Sequence, residues 1–209
     1  MSRGALKLLA ILLMTGNHIA QVFLNPDTVS YHLFLTLGYA TAPLMCAFLS
    51  DGFIYTHDRK AYGIRLLIFA LVSELPFCLA FGRTGNMGWT LLLSYLCLVF
   101  WERKKEWACI PLILLTGWTD WSFLAPVFTL MVYGAKGDKG REALVFLYGT
   151  FLFTLICAAN GEPMLHASGF FLADILRIFC YNGEKGNTPG SLFYLFYPVH
   201  LFVFGLLAR

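Results

Sequence analysis

Residues 107–133 read WACIPLILLTGWTDWSFLAPVFTLMVY, and the fold depends on whether this stretch is one apolar helix or two. A spanning helix needs about 20 mostly apolar residues, so 27 are enough for one long crossing or two short ones. The polar turn Thr119-Asp120-Trp121 near the middle argues for two. The basic residues decide. With two segments here and the N-terminus in the cytoplasm, Arg3, Lys7, Arg59, Lys60, Arg65, Arg103, Lys104, Lys105, Lys136, Lys139, Arg141, Arg177 and Lys185 fall on the cytoplasmic side. Only Arg83 and Arg209 fall outside. One long helix would move every later loop to the other side and weaken that asymmetry, so the chain is expected to turn at Thr119-Asp120-Trp121.

The rest of the sequence fits this reading. It is 58% hydrophobic, 17% aromatic and only 13% charged, with a mean hydropathy of +0.68. Soluble domains carry about a quarter charged residues to solvate their exterior. Disorder, nucleic-acid binding and ordinary cytosolic enzymes are therefore excluded, and an all-α polytopic bundle in one domain, 1–209, is expected. Cutting at the clusters of Gly, Pro, Asn and charge gives nine transmembrane or re-entrant segments. They are Ala5–Leu24, Tyr31–Tyr55, Tyr62–Phe81, Met87–Trp101, Trp107–Thr119, Trp121–Tyr133, Ala143–Ala159, Leu165–Tyr181 and Leu192–Leu207. Whether the fifth and sixth span or re-enter leaves the parity unchanged. The first has two basic residues at its start, Arg3 and Lys7, but no small-residue cleavage site follows it, so it reads as a retained helix. The six cysteines show no C-x-x-C spacing and read as free thiols. No internal repeat is visible.

Ionisable groups within the bilayer mark functional positions by default. In the first segment Met14, Asn17, His18 and Gln21 follow i, i+3, i+4, i+7, so a polar stripe must face the bundle interior or a wet cavity. In the last, Phe193, Phe196, Tyr197 and His200 share a face beside Pro198, an aromatic wall with one titratable tip. His200 could equally be a packing histidine donating to a carbonyl. Glu74 lies beside Ser73 and before Pro76, either a pocket acid or a buried hydrogen-bonded carboxyl. Asp51 is expected to pair with Arg65 across the Thr56–Lys60 loop, and Asp174 with Arg177 three residues on. The basic loops carry the topology signal; together they would also suit a phosphate-rich cytoplasmic ligand. No Walker motif, dinucleotide fingerprint, metal-ligand cluster or G-x-S-x-G occurs. The residues alone thus reach a membrane protein with a buried histidine-centred site, and leave enzyme and transporter open.

Several blocks in order resemble the TraX family. They are Leu6-Lys7 through Met14 to Asn17-His18-Ile19, Ser50 to Thr56, Tyr62-Gly63-Ile64-Arg65-Leu66, and Phe69 to Phe77. Thr119-Asp120-Trp121, Tyr181-Asn182-Gly183-Glu184-Lys185-Gly186 and Phe193 to Leu201 follow. The resemblance covers nearly the whole chain. It implies a multi-pass acetyltransferase of the bacterial cytoplasmic membrane, named for a conjugation protein that acetylates pilin and related to a wider superfamily of transmembrane acyltransferases. Such enzymes take acetyl-CoA from the cytoplasm and serve an acceptor reached from the other face.

By that analogy His18 is the catalytic base, or the carrier of an acetyl-histidine intermediate, with His200, Asp120 and Glu74 as further candidates. Asn17, Tyr197 or His200 would supply the oxyanion donor. Tyr62, Arg65, Asn182, Gly183 and Tyr197 would belong to the donor side, with Arg59, Lys60, Arg103, Lys104, Lys105 and Lys185 receiving the phosphates. The family pattern has an aspartate before the histidine where this chain has Asn17. An asparagine can orient an imidazole but not stabilise its cation, so either another carboxylate such as Glu74 or Asp51 substitutes or activity is reduced. The expected partners are acetyl-CoA, a peptide or small-amine acceptor and the lipid bilayer, with no nucleic acid and no metal, and with homo-oligomerisation left open. The competing readings are a small-molecule or proton-coupled transporter, with His18, Glu74 and His200 as proton path, and a non-catalytic accessory of conjugation or secretion.

Overall fold

The computed structural model describes residues 1–184, 186–188 and 191–208. Lys185, expected on the donor side, and Arg209 of the topology count lie outside the described residues. Ten α-helices and no strand occur among the described residues. They are α1 (Arg3–Phe23), α2 (Val29–Gly38), α3 (Thr41–Tyr55), α4 (Arg59–Phe81), α5 (Met87–Glu102), α6 (Cys109–Leu115), α7 (Leu124–Gly134), α8 (Lys139–Ala159), α9 (Ala167–Asp174) and α10 (Leu192–Leu207).

Three single helices, α1, α4 and α8, together with the continuous pair α2–α3, are long and apolar enough to cross a membrane. At 1.5 Å per residue the 23 residues of α4 reach about 35 Å, a full hydrocarbon thickness. Their outer faces carry bare apolar side chains, such as Ile68, Val72 and Leu75 on α4 and Leu144, Phe151 and Leu155 on α8. Water would not tolerate that surface, and lipid requires it.

The stretch 107–133 does turn back at Thr119–Phe123. Residues 106–118 form α6 with a 3₁₀ turn at each end. This rod runs antiparallel along α5: the Cys109 thiol donates to the Cys97 carbonyl at 3.4 Å, and Thr119 meets the Thr90 hydroxyl at 2.9 Å near the start of α5. It therefore lies alongside α5 from Cys97 back to Thr90, and the chain doubles back as a hairpin of two short apolar helices.

Side-chain and backbone bonds sort the helix ends into two sets. At one end the Asn182 amide donates to the Met1 carbonyl (2.9 Å), the Arg3 amide to Glu184 (2.7 Å), and Arg59 pairs with Glu102. At the other, Arg83 pairs with Asp120 at 3.2 Å and the Asp120 amide donates to Gly85 at 2.7 Å. The first set gathers the Lys and Arg residues assigned above to the N-terminal side. It is called the basic end below, and the second the far end.

One sequence expectation is refined and two are corrected. The segment Tyr31–Tyr55 is found as one continuous span, Val29–Tyr55, interrupted locally at Tyr39–Ala40, because Pro43 has no amide to offer the carbonyl of Tyr39 and its ring collides with it. Asp174 does not pair with Arg177. A π-helical turn over Ile175–Cys180 follows Asp174 and swings the guanidinium away, leaving Asp174 Oδ1 without a partner. Asp51 does not pair with Arg65. Its carboxylate receives two bonds from Arg177 (2.9 and 3.0 Å) and one from Lys136, while Arg177 Nε donates to Glu142 at 2.7 Å. Two acids and two bases thus balance in a knot joining α3, α8, the π-turn and the end of α7.

Candidate active site

α1 and α10, first and last in the chain, bring His18 and His200 together, with Nδ1 of His18 and Nε2 of His200 2.8 Å apart. The rings are parallel within 3° and their centroids lie 5.1 Å apart, the spacing of rings meeting edge to edge. The other nitrogen of His200, Nδ1, sits 2.9 Å from the carbonyl of Phe196. A carbonyl only accepts, so His200 Nδ1 carries the proton. With both rings neutral, His200 Nε2 must then accept, His18 Nδ1 must donate, and His18 Nε2 is left with its lone pair. The pair is therefore directional. Stacking of Phe196 on His200 (centroids 4.9 Å, 17°) fixes the outer ring.

The polar stripe of α1 lines a cavity of about 280 Å³ together with Tyr39, Thr41, Met45, Trp121 and Tyr197. Its mouth at the far end carries Gln21, Tyr31, Arg83, Asp120 and Glu162. Asn17 is held at both ends of its amide: Nδ2 donates to the Leu35 carbonyl at 3.1 Å and Oδ1 accepts from Gln21. This bond works because Gly38 lets α1 and α2 touch; a Cβ there would lie 2.1 Å from that of Asn17. The Tyr197 hydroxyl is buried and has no hydrogen-bond partner among the described residues, while its ring packs edge-on against His18. Of the three expected oxyanion donors, His200 has its one proton committed to Phe196, Asn17 keeps one of its two amide protons, and Tyr197 keeps its only one.

Asp120 stands at the mouth on the Thr119–Phe123 turn. Loss of solvent raises its carboxyl above the usual carboxylate range, and the Arg83 guanidinium pulls it back. The turn is strained: Trp121 (φ 60°) and Phe123 (φ 53°) both adopt left-handed backbone. That conformation presents the Trp121 ring to the cavity, stacked on Phe153 at 5.1 Å.

Glu74 lies outside this group. Its carboxylate accepts from the amides of Gly85 (2.8 Å) and Asn86 (3.4 Å), the Asn86 side chain and Trp89 Nε1 (2.9 Å). Four donors converge on this carboxylate, three of them on Oε2, and hold the α4–α5 loop, which carries Arg83 and Met87 to the cavity. Neither Glu74 nor Asp51 reaches the His18–His200 pair, so neither stands in for the missing aspartate. The group that meets His18 Nδ1 is the imidazole of His200 instead.

A second cavity, of about 540 Å³, opens at the basic end. Tyr62 and Arg65 line it, with Arg3, Lys7, Tyr55 and Tyr194. Arg59 is committed to Glu102, and Lys60, Arg103, Lys104, Lys105, Asn182 and Gly183 are not among its walls. Arg3 and Lys7 were readable only as topology signals, and nothing in their spacing marks them as binding groups. Arg83 did leave a trace, being basic on the side where such residues are rare.

A profile of the TraX protein family matches residues 2–208. The chain belongs to the TraX family. A relative within reach of alignment, the probable fimbrial assembly protein FimC, serogroup H1, of Dichelobacter nodosus, is 29% identical over 224 residues, spanning 94% of this chain and 91% of that protein. No solved structure matches. Of the stretches quoted above, His18, Trp121, Tyr197 and His200 lie at the far cavity or against it and Tyr62 and Arg65 at the basic one, whereas Asn182 and Gly183 line neither.

Proposed function

We propose that this TraX-family chain is a membrane-embedded acetyltransferase that moves acetyl from acetyl-CoA, bound at the basic end, to an amine entering from the far end. The observation that carries the reading is the directional histidine pair, which leaves His18 with a free Nε2 beside a Tyr197 hydroxyl that has no partner among the described residues. A base and an oxyanion donor on one cavity are the two groups acyl transfer needs.

The neutral amine attacks the thioester carbonyl; the new C–N bond forms as the C=O pair moves onto oxygen, where the Tyr197 hydroxyl donates to it. His18 Nε2 takes the proton from the nitrogen. The charge this creates is shared with His200, which accepts from Nδ1. Collapse of the oxyanion breaks the C–S bond and expels the CoA thiolate, which recovers a proton from His18. Arg3, Lys7 and Arg65 suit the donor's phosphates, which favour guanidinium and ammonium groups. The basic end then faces the cytoplasm of a bacterial cell, in keeping with the positive-inside rule. The D. nodosus relative's name, a probable fimbrial assembly protein, supports a fimbrial subunit as the acceptor, and the amine taken here is its amino terminus.

The test is acetyl transfer by detergent-purified protein from acetyl-CoA to such an amino-terminal peptide, followed by release of CoA thiol and by peptide mass. His18→Ala should abolish both signals, and Lys7→Ala with Arg65→Ala should weaken acetyl-CoA binding at least about tenfold, the loss of a charge-assisted contact or two. The Arg103/Lys104/Lys105 triple alanine variant should bind as the parent does. Folded protein that binds no acetyl-CoA, or full activity in His18→Ala, would end this reading.

A further inference from the structure

The two cavities are back to back. On α3, Thr41 and Ala42 line only the far cavity, Phe48, Leu49 and Gly52 only the basic one, and Met45 lines both. On α10, Tyr197 belongs to the far cavity, Ser191 and Tyr194 to the basic one, and Phe193 to both. On α5, Met87 faces one and Leu91 the other. On three separate helices the lining changes over within about one to two turns, at the same depth.

Met45 and Phe193 are 6% and 8% exposed. Among the described residues, these two are the side chains that line both cavities. A methionine has three rotatable bonds and no branch, so it repacks at little cost. Phe193 sits in the first turn of α10 and leans on Tyr197 (centroids 6.0 Å, 30°), whose own ring touches His18.

We propose that Met45 and Phe193 form a partition one side chain thick between two half-channels that together cross the protein. The acyl arm of a donor held at the basic end passes by displacing these two side chains, while the donor's charged head stays behind. What passes rests on the acetyltransferase reading; the partition itself does not. At rest it keeps the far-end solution from the thioester and keeps the membrane sealed.

A sided labelling experiment tests this without any donor. Thr41→Cys places a thiol on the far cavity one turn from Met45. Right-side-out and inverted membrane vesicles are treated with a charged, membrane-impermeant methanethiosulfonate, and labelling is read as the increment over the parent protein with its native cysteines. With Met45 and Phe193 intact, the thiol should react from the far side only. With Met45→Ala and Phe193→Ala added, it should react from both sides, and unchanged far-side labelling reports that the double variant is folded. Reaction from both sides in the intact background would mean that no partition exists. Far-side reaction alone in the double variant would place the barrier elsewhere, and no reaction from either side would show that the far cavity is closed to solution. Any of these three overturns the proposal and leaves the acetyltransferase assay to stand or fall separately.

Discussion

His200 holds no reacting atom, yet it decides which nitrogen of His18 is free. The Phe196 carbonyl sets the proton on His200, and His200 sets the proton on His18, as a carboxylate does in a catalytic triad but without its charge. It is a positioning residue, and its removal should act on turnover more than on binding. His200→Ala is expected to lower kcat by about 10²- to 10³-fold while leaving the KM for acetyl-CoA nearly unchanged. His200→Asn, whose amide oxygen can accept from Nδ1, should recover part of the loss. A merely structural His200 would instead depress protein yield with both substitutions and leave the turnover of the folded fraction intact. The stripe containing His18 was legible because helical spacing alone put four residues on one face. The partnership with His200 was not, since nothing local links positions 182 apart.

At the scale of elements, the far wall of the site hangs on a loop clamp. Glu74 projects from the last third of α4 and gathers four donors of the α4–α5 connection, fixing where α5 begins and how Arg83 meets Asp120. Glu74→Gln replaces one acceptor oxygen by a donor and faces it toward other donors. It should cost about 1–3 kcal/mol, read as a lower thermal midpoint in detergent, with His18 chemistry reduced only as far as the loop loosens. The helix segments themselves were largely readable: Leu192–Leu207 is found with the bounds its composition suggests, and the turn at Thr119-Asp120-Trp121 follows from charge placement. The break at Tyr39–Ala40 was missed because Pro43 lies inside an unbroken apolar run, where its effect falls four residues upstream. The Asp174–Arg177 pair failed because spacing rules assume 3.6 residues per turn, and the π-turn suspends that assumption just where it was applied.

Across the whole molecule, the knot of Asp51, Lys136, Glu142 and Arg177 ties the two halves of the bundle at the basic end. Arg177 is 3% exposed and bonds both acids, so Arg177→Met leaves two carboxylates facing each other with Lys136 alone to answer them. The expected loss is about 3–5 kcal/mol, seen as a fall in the folded fraction after solubilisation; a change too small to resolve would show that the knot is solvated. Sequence could supply the four charges and their end of the membrane, but not the pairing, which depends on how α3, α8 and the π-turn meet. The same long-range closure governs when the protein becomes a working molecule. His18 lies in α1 and His200 in α10, so a chain that stops short of α10 carries no directed base. Premature stops anywhere before α10 should give inserted, stable-looking fragments that are silent, and activity should appear in one step once α10 is made.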